Sequence, residues 1–533
     1  MISKKEDLGA YSKLIGKELT KVQDVSDALN KLLQDWNRAS NHSEGDLPLS
    51  AEKDGAADGF SISRRRFLKT AGMAAGAAGV LAQTGLASTG IEKSPVSPAE
   101  HGKSHTYRRS ILPPHPSKTR REIQEFVDDI LLIDTHEHLE GEASAISTPP
   151  GKLDFSLLVS HYANSDLNSA GMSDGNVNAL LSKGISVDEK WKLFAPYWDK
   201  MRNTGFGWAV DIAVRYFYDF DGLSERTCAE LTNRMRAEYK PGFYHRVLRD
   251  AAGIDRAIAD ISSTDVDKTL FTPALRVDPY ILISKPDDLG IYSKVTGKEA
   301  TTVRDISGAL NKLLQDWKSR GVVTGKCQMA YKRTLQVEYV SEQDGQRALD
   351  ALITKNDQNA VKSLQDFLFH QVLRACSDQK MPLQIHTGFL AGNNCRLLPQ
   401  TNPMLLCDAL SRYPEAKIDL FHAGYPWVSE MAAMAKNFTA VNADLCWMHI
   451  VSPSAACRAL DEWLDAIPAS KIFAFGGDYM IAEGSYGHSV IARTNIGEVL
   501  ANRVENGRMS MADAKRVARM ILRDNAVEFF GLT

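Results

Sequence analysis

Residues 131–139 read LLIDTHEHL, an aliphatic run that ends in two histidines separated by one residue. A short apolar run bounded by polar residues has the composition of a buried strand. Alternate residues of a strand point to the same side, so His136 and His138 share one face near its C-terminal end. Active sites of (β/α)8 barrels are built at that end of the strands, which makes this stretch a candidate first barrel strand and a candidate site at once.

Working outward, strand-like runs alternate with helical stretches from about residue 119 to the end, the pattern of βα units and a parallel sheet. Eight strands are predicted: 129–136, 253–260, 273–280, 322–330, 382–387, 417–422, 439–446 and 471–478. Amphipathic helices are predicted between them, for example over 361–377 and 401–413. Two more, over 488–505 and 510–530, would close the ring. Residues 140–250 are richer in helix and aromatic residues than a βα loop requires. The expected fold is therefore an α/β TIM barrel over 119–533, with a helical insertion after strand 1 that shapes a substrate pocket.

The histidines and one aspartate fall where such a fold would use them. His386 ends "PLQIH", His422 ends "IDLFH" and Asp478 follows "IFAFGG", each at the end of its own apolar strand. Together with His136 and His138 they form a set of imidazoles and one carboxylate. Such a set suits a divalent metal, with zinc the expected ion and a coordination position left for water. Among the remaining histidines, His161, His245, His370, His449 and His488 lack this placement.

The chain from about residue 125 onward resembles the amidohydrolase superfamily, in the group that includes FluG-like and uronate-isomerase-like proteins and related decarboxylases. The resemblance rests on "DTHEHL", "GKCQMAYKRTL", "IHTG", "FHAGYPW", "FGGDY" and the terminal "RMILRDNAVEFFGL", in that order. It implies that His136, His138 and His386 bind the metal. It also implies that Asp478 binds metal or takes a proton from the attacking water, while His422 polarises or protonates the substrate. Lys326 falls where many members place a carboxylated lysine bridging two ions, and Tyr331 and Arg333 would line the pocket. With one ion, Lys326 would contact substrate instead. With two, His386 and His422 would hold the second.

The expected activity is metal-dependent hydrolysis of an amide, lactone or ester bond in a small polar substrate. Asp478 would act as proton acceptor and His422 would stabilise developing charge. The same architecture supports non-oxidative decarboxylation or sugar-acid isomerisation, and an exported binding protein without turnover is a rival from another class. A retained Asp478 argues against the binder, which needs no general base.

A net charge of −3 calls for neither nucleic acid nor an anionic membrane as partner. The seven cysteines form no CxxC pair, which leaves no zinc ribbon or disulfide framework to explain. Residues 63–69, SRRRFLK, match the twin-arginine export pattern. The Ala- and Gly-rich run that follows to residue 87 is too mildly hydrophobic for a stable membrane span. The twin-arginine translocase is thus an expected partner and the periplasm, or another exported location, the expected destination. Residues 88–118, rich in proline, are expected to be a flexible linker. Residues 1–62 form an N-terminal extension in which 2–36 repeat 283–317 with most positions identical. Each copy suggests a loop followed by an amphipathic helix.

Overall fold

A computed structural model of the chain describes residues 107–532. The export signal and the first repeat copy lie outside the described residues, as does the linker up to residue 106. The remainder of that linker is tied down. Arg109 donates to the carbonyls of Asp128 and Asp250, Ser110 to the Asp128 carboxylate, and Thr494 accepts from the Ile111 amide.

Helix α1 (Lys118–Asp129), capped by the Ser117 hydroxyl, leads into β1 (Leu132–Glu137). The other strands are β2 (Ile254–Ala259), β3 (Phe271–Arg276), β4 (Thr324–Cys327), β5 (Leu383–Ile385), β6 (Ile418–Leu420), β7 (Val441–Asp444) and β8 (Ile472–Phe473). All eight predicted strands are present, in one parallel sheet ordered β1 to β8. Backbone hydrogen bonds from Thr135 to Phe475, Asp478 to His136 and His138 to Tyr479 bring the ring nearly to closure. No strand interrupts residues 138–253, whose elements are all helical.

The strands are shorter than their apolar runs, for local reasons. After β3, Pro279 pre-sets helical backbone geometry and begins the turn Asp278–Ile281, so the run stops short of Tyr280. After β8 the backbone amides leave the ladder: Ala474 donates to Ile521, while Phe475 and Gly476 accept from Thr135 and Trp447. Pro403 likewise sets the start of the helix predicted over 401–413, which runs as the contiguous turns Pro403–Leu406 and Cys407–Ser411.

In the internal repeat copy, helix α2 (Val303–Ser319) is amphipathic as expected and buries Ile306, Leu310, Leu313, Leu314 and Trp317. A reciprocal Thr302–Asp305 cap starts it. A short helix, Gly290–Thr296, stands where the sequence suggested only a loop. Helix α3 (Val361–Asp378) packs on α2, and α4 (Ala482–Glu505) packs on α1. A Cβ on Gly497 would sit 2.0 Å from the Gln124 amide oxygen, so a larger residue there would displace the Gln124 side chain from the Arg493 carbonyl to which it donates.

Arg493 of α4 is fully buried and donates to the carbonyls of Val127, Ile130, Ala252 and Gly253, joining α1, α4 and the entrance to β2. Methionine there would keep the volume and leave those carbonyls without their donor. Arg493→Met is expected to lower stability by about 3 kcal/mol or more, read as a shift of the urea midpoint at unchanged m-value. An unchanged midpoint would show that the joint is held by apolar packing alone.

Candidate active site

The ends of β1, β2 and β8 converge on one point. The Asp478 Oδ1 atom lies 3.1 Å from His138 Nε2 and 3.7 Å from His136 Nε2. Its Oδ2 atom faces His422 Nε2 at 3.9 Å. Asp260, at the end of β2, comes within 3.9 Å of His136 Nε2. The carbonyl of Asp260 accepts from His138 Nδ1 (3.1 Å), so His138 Nε2 faces Asp478, donating to the carboxylate when the ring is protonated and open to an ion when it is neutral. Asp478 has φ 59°, a left-handed conformation rare outside glycine. Three bonds hold that turn: Gly477 N–H to Asp134, Asp478 N–H to His136 and Tyr479 N–H to Glu137. The "DTHEH" stretch thus supplies both the histidines and the clamp that presents the aspartate to them.

This arrangement fits a divalent ion. His136 is fully buried, and neither ring nitrogen has a hydrogen-bond partner, a costly condition for a polar group unless something else satisfies it. Donor atoms around an ion at about 2.1 Å in tetrahedral geometry stand roughly 3.4 Å apart, close to the separations of His136, His138 and Asp478. Two groups of three candidate ligands stand out among the described residues: His136, His138 and Asp260, and His422, Cys446 and Asp478.

Burial pushes the Asp478 carboxyl up, but the hydrogen bond and charge of His138, joined by His136 and His422, outweigh it and hold the group well below its ordinary range. Burial, helped by Lys326, holds His136 well below its usual value and His422 at about 4. His386 and His422 form a pair: His422 Nδ1 meets the Cys446 carbonyl, His422 Nε2 meets His386 Nδ1, and His386 Nε2 meets the Phe389 carbonyl. Those three contacts need three protons, and two neutral imidazoles carry two. One contact therefore lacks its proton while both rings are neutral, the state in which burial holds them.

Beneath the site lie buried acids. Asp134 is pushed up to about 7 by burial, and its neighbour Glu137 is pushed well above the usual carboxyl range. Burial also lifts Asp444 to about 7 and Asp419 well above its ordinary value. On these acids the folded state thus holds protons that the unfolded chain releases from about pH 4 upward, so their contribution to stability falls as pH rises, through about 7 for Asp134 and Asp444. Asn at 444 can accept from the Cys446 amide as Asp444 does, and can donate to the Thr135 hydroxyl, which retains the Phe475 carbonyl as its own acceptor. Asp444→Asn is expected to flatten this pH dependence and to be more stable than the parent at pH 8.5. Parallel denaturation curves at pH 5 and 8.5 for both proteins would refute this.

A cleft of about 450 Å3 opens over the site, lined in part by His138, His161, Asp260, Arg276, Gln328, Tyr331, His386 and Asp478. The expected residues His136, His138, His386, His422, Asp478 and Tyr331 gather there, with the Tyr331 ring 4.7 Å from that of His386. Two expected residues stand elsewhere. Arg333 turns outward to an ion pair with Asp366 of α3, because the chain bends through Met329–Tyr331 and two-residue spacing no longer means one face. Lys326 lies below the cleft with its ammonium 3.6 Å over the Phe421 ring, buried and held below its ordinary value by that burial.

Asp260, Arg276 and His161 are among the residues of the cleft that were not singled out from sequence. Asp260 ends the apolar run "RAIAD" as Asp478 ends its own, so the same strand-end rule would have found it. Arg276, at the end of β3, holds Asp260 through its Nε at 3.0 and 3.1 Å. His161 comes from the helical β1–β2 connection, and only the tertiary fold brings it in.

Residues 326–532 match the model of the family described as Amidohydrolase. The protein fluG of Emericella nidulans is 28% identical over 224 residues, 40% of this chain and 26% of that protein. A uronate isomerase of Corynebacterium efficiens is 24% identical over 219 residues, 38% of this chain and 46% of that protein. The chain thus spans about a quarter and about half the length of these two relatives. The crystal structure of glucuronate isomerase from Caulobacter crescentus superposes with a TM-score of 0.65 at 17% identity, covering 81% of this chain and 97% of that one. Residues 326–532 thus resemble the amidohydrolase family, and parts of the chain are similar in sequence to FluG and to a uronate isomerase.

Proposed function

We propose that the protein catalyses a metal-dependent isomerisation of a small hydroxylated carboxylate, of which a sugar acid is the type. The reading rests on the Asp478 carboxylate, held ionised among His136, His138 and His422 at the floor of a polar cleft that carries Arg276. The likeness to uronate isomerases supports it. A divalent ion, zinc or a similar one, held by His136, His138 and Asp478 would polarise the substrate's carbonyl and hydroxyl and acidify the protons beside them.

The residues then divide the work. Asp478 Oδ1 faces the two β1 histidines and Oδ2 is left for the proton. Isomerisation takes a proton from the hydroxyl-bearing carbon and delivers one to the neighbouring carbonyl carbon, which an ionised, fixed carboxylate can do in both directions. The proton on the substrate's hydroxyl oxygen passes in the same sense to its carbonyl oxygen, relayed by the His386–His422 pair, whose contact with one another holds no proton while both rings are neutral. Arg276, part-exposed in the cleft wall, pairs with the substrate carboxylate.

The amidohydrolase match favours a second reading, hydrolysis of an amide, lactone or ester. There Asp478 Oδ2 would accept the water proton and pass it to the leaving group. Product mass separates the two. Metal-loaded protein incubated with hexuronates, lactones and amides is expected to yield a product of unchanged mass, with up to one carbon-bound deuterium when run in D2O. Gain of one water would establish hydrolysis instead, loss of carbon dioxide a decarboxylase, and bound metal without turnover of any substrate a binding protein. Export by the twin-arginine route belongs to the same proposal. Changing Arg64 and Arg65 to Lys should retain the protein in the cytoplasm, and unaltered export would refute that route.

A further inference from the structure

Beside the polar cleft lies a second cavity of about 140 Å3, and the two share His138, Glu140 and Met480 at their junction. Its walls differ in character. Ala145, Leu157, Phe243 and Ile481 supply apolar surface. Two of the four hydroxyl-bearing residues that line it are already engaged, Ser144 donating to Glu140 and Tyr239 to the buried Glu483, with Thr148 and Tyr244 beside them. A space of this size lined by aliphatic and aromatic groups admits a benzene-sized guest and gives water few partners. Met480 is 54% exposed, one of the few large hydrophobic side chains so placed among the described residues. It stands where a guest spanning both cavities would cover it, and its flexible thioether suits it to close over a ring. Glu140 at the same junction discourages an anionic group from entering the side cavity and leaves Arg276 as the place for charge.

We infer that the side cavity is a specificity subsite for an apolar, ring-sized substituent of the substrate. The inference rests on the reading of the cleft as the active site, and narrows the substrate to a hydroxylated acid whose reacting group lies between a charged end and an apolar one. The ring enters between Leu157 and Phe243, Met480 folds over it, and the polar end stays under Arg276. Simple unsubstituted acids then leave the side cavity unfilled.

Calorimetric titration of the metal-loaded protein with acetate, butyrate, phenylacetate, 4-phenylbutyrate and benzyl alcohol tests this. At least one phenyl acid should bind about tenfold or more tightly than the unbranched acid of the same chain length, from burial of the ring. Ala145→Trp and Leu157→Trp, two independent ways of filling the cavity, should each remove that advantage and abolish binding of benzyl alcohol while leaving acetate and butyrate unaffected. Equal affinities for phenyl and straight-chain acids, or an advantage that survives both fillings, would overturn the subsite. Binding of benzyl alcohol, lost in both filled variants, with no binding of any carboxylate would keep the apolar cavity and refute the anionic reading of the cleft.

Discussion

Asp478→Asn should lower turnover by about 10^2- to 10^4-fold, the usual contribution of a positioned general base. The amide keeps the shape and an oxygen toward His136 and His138 but cannot accept a proton. It also removes the charge that supports His138, whose imidazole burial alone would push down and which Asp478 holds above its ordinary value. His138 should therefore titrate at lower pH in the variant, which NMR of the ring would show. Measuring kcat at saturating metal separates the lost proton transfer from weakened metal binding. Turnover within a few-fold of the parent would remove Asp478 from the chemistry.

The second large effect is on metal binding. Replacing His136 and His138 together by Ala should reduce bound divalent ion to none, because both β1 ligands leave at once. The response of stability to added metal distinguishes this from general damage. His136 is buried with two unpartnered nitrogens, so its loss relieves an unsatisfied polar group and partly offsets the cavity left behind. The metal-free variant, which also loses the His138 partner of the buried Asp478 carboxylate, should melt below the metal-free parent while still unfolding cooperatively. Added metal at about a thousand times its Kd should stabilise the parent by about 4 kcal/mol and the variant not at all. Full metal content in the double variant would refute the assignment.

Much of this was legible in the sequence because the barrel writes its site at strand ends. Every apolar run became a strand, and His136, His386, His422 and Asp478 each ended one or followed it closely. The rule failed where the backbone stopped being extended. Arg333 was placed in the pocket with Tyr331 by the resemblance, but the bend after β4 carries it to Asp366. The resemblance drew attention to Lys326 as a ligand or substrate contact, whereas its ammonium lies over Phe421 beneath the cleft. Asp260 was readable by the same logic as Asp478 and was passed over because no histidine stands near it in sequence. His161 and the apolar side cavity were not readable at all. They depend on how the helices between β1 and β2 fold back over the mouth of the barrel, and no local pattern specifies that packing.

Anomalous diffraction at the metal edge, from crystals of the zinc- or manganese-loaded protein, tests the central claim most directly. The expected result is a peak enclosed by His136 Nε2, His138 Nε2 and Asp478, with His386 or His422 as the next nearest imidazole. A loaded crystal with no peak there, or with its strongest peak at the buried His449 and His488 instead, would contradict the site.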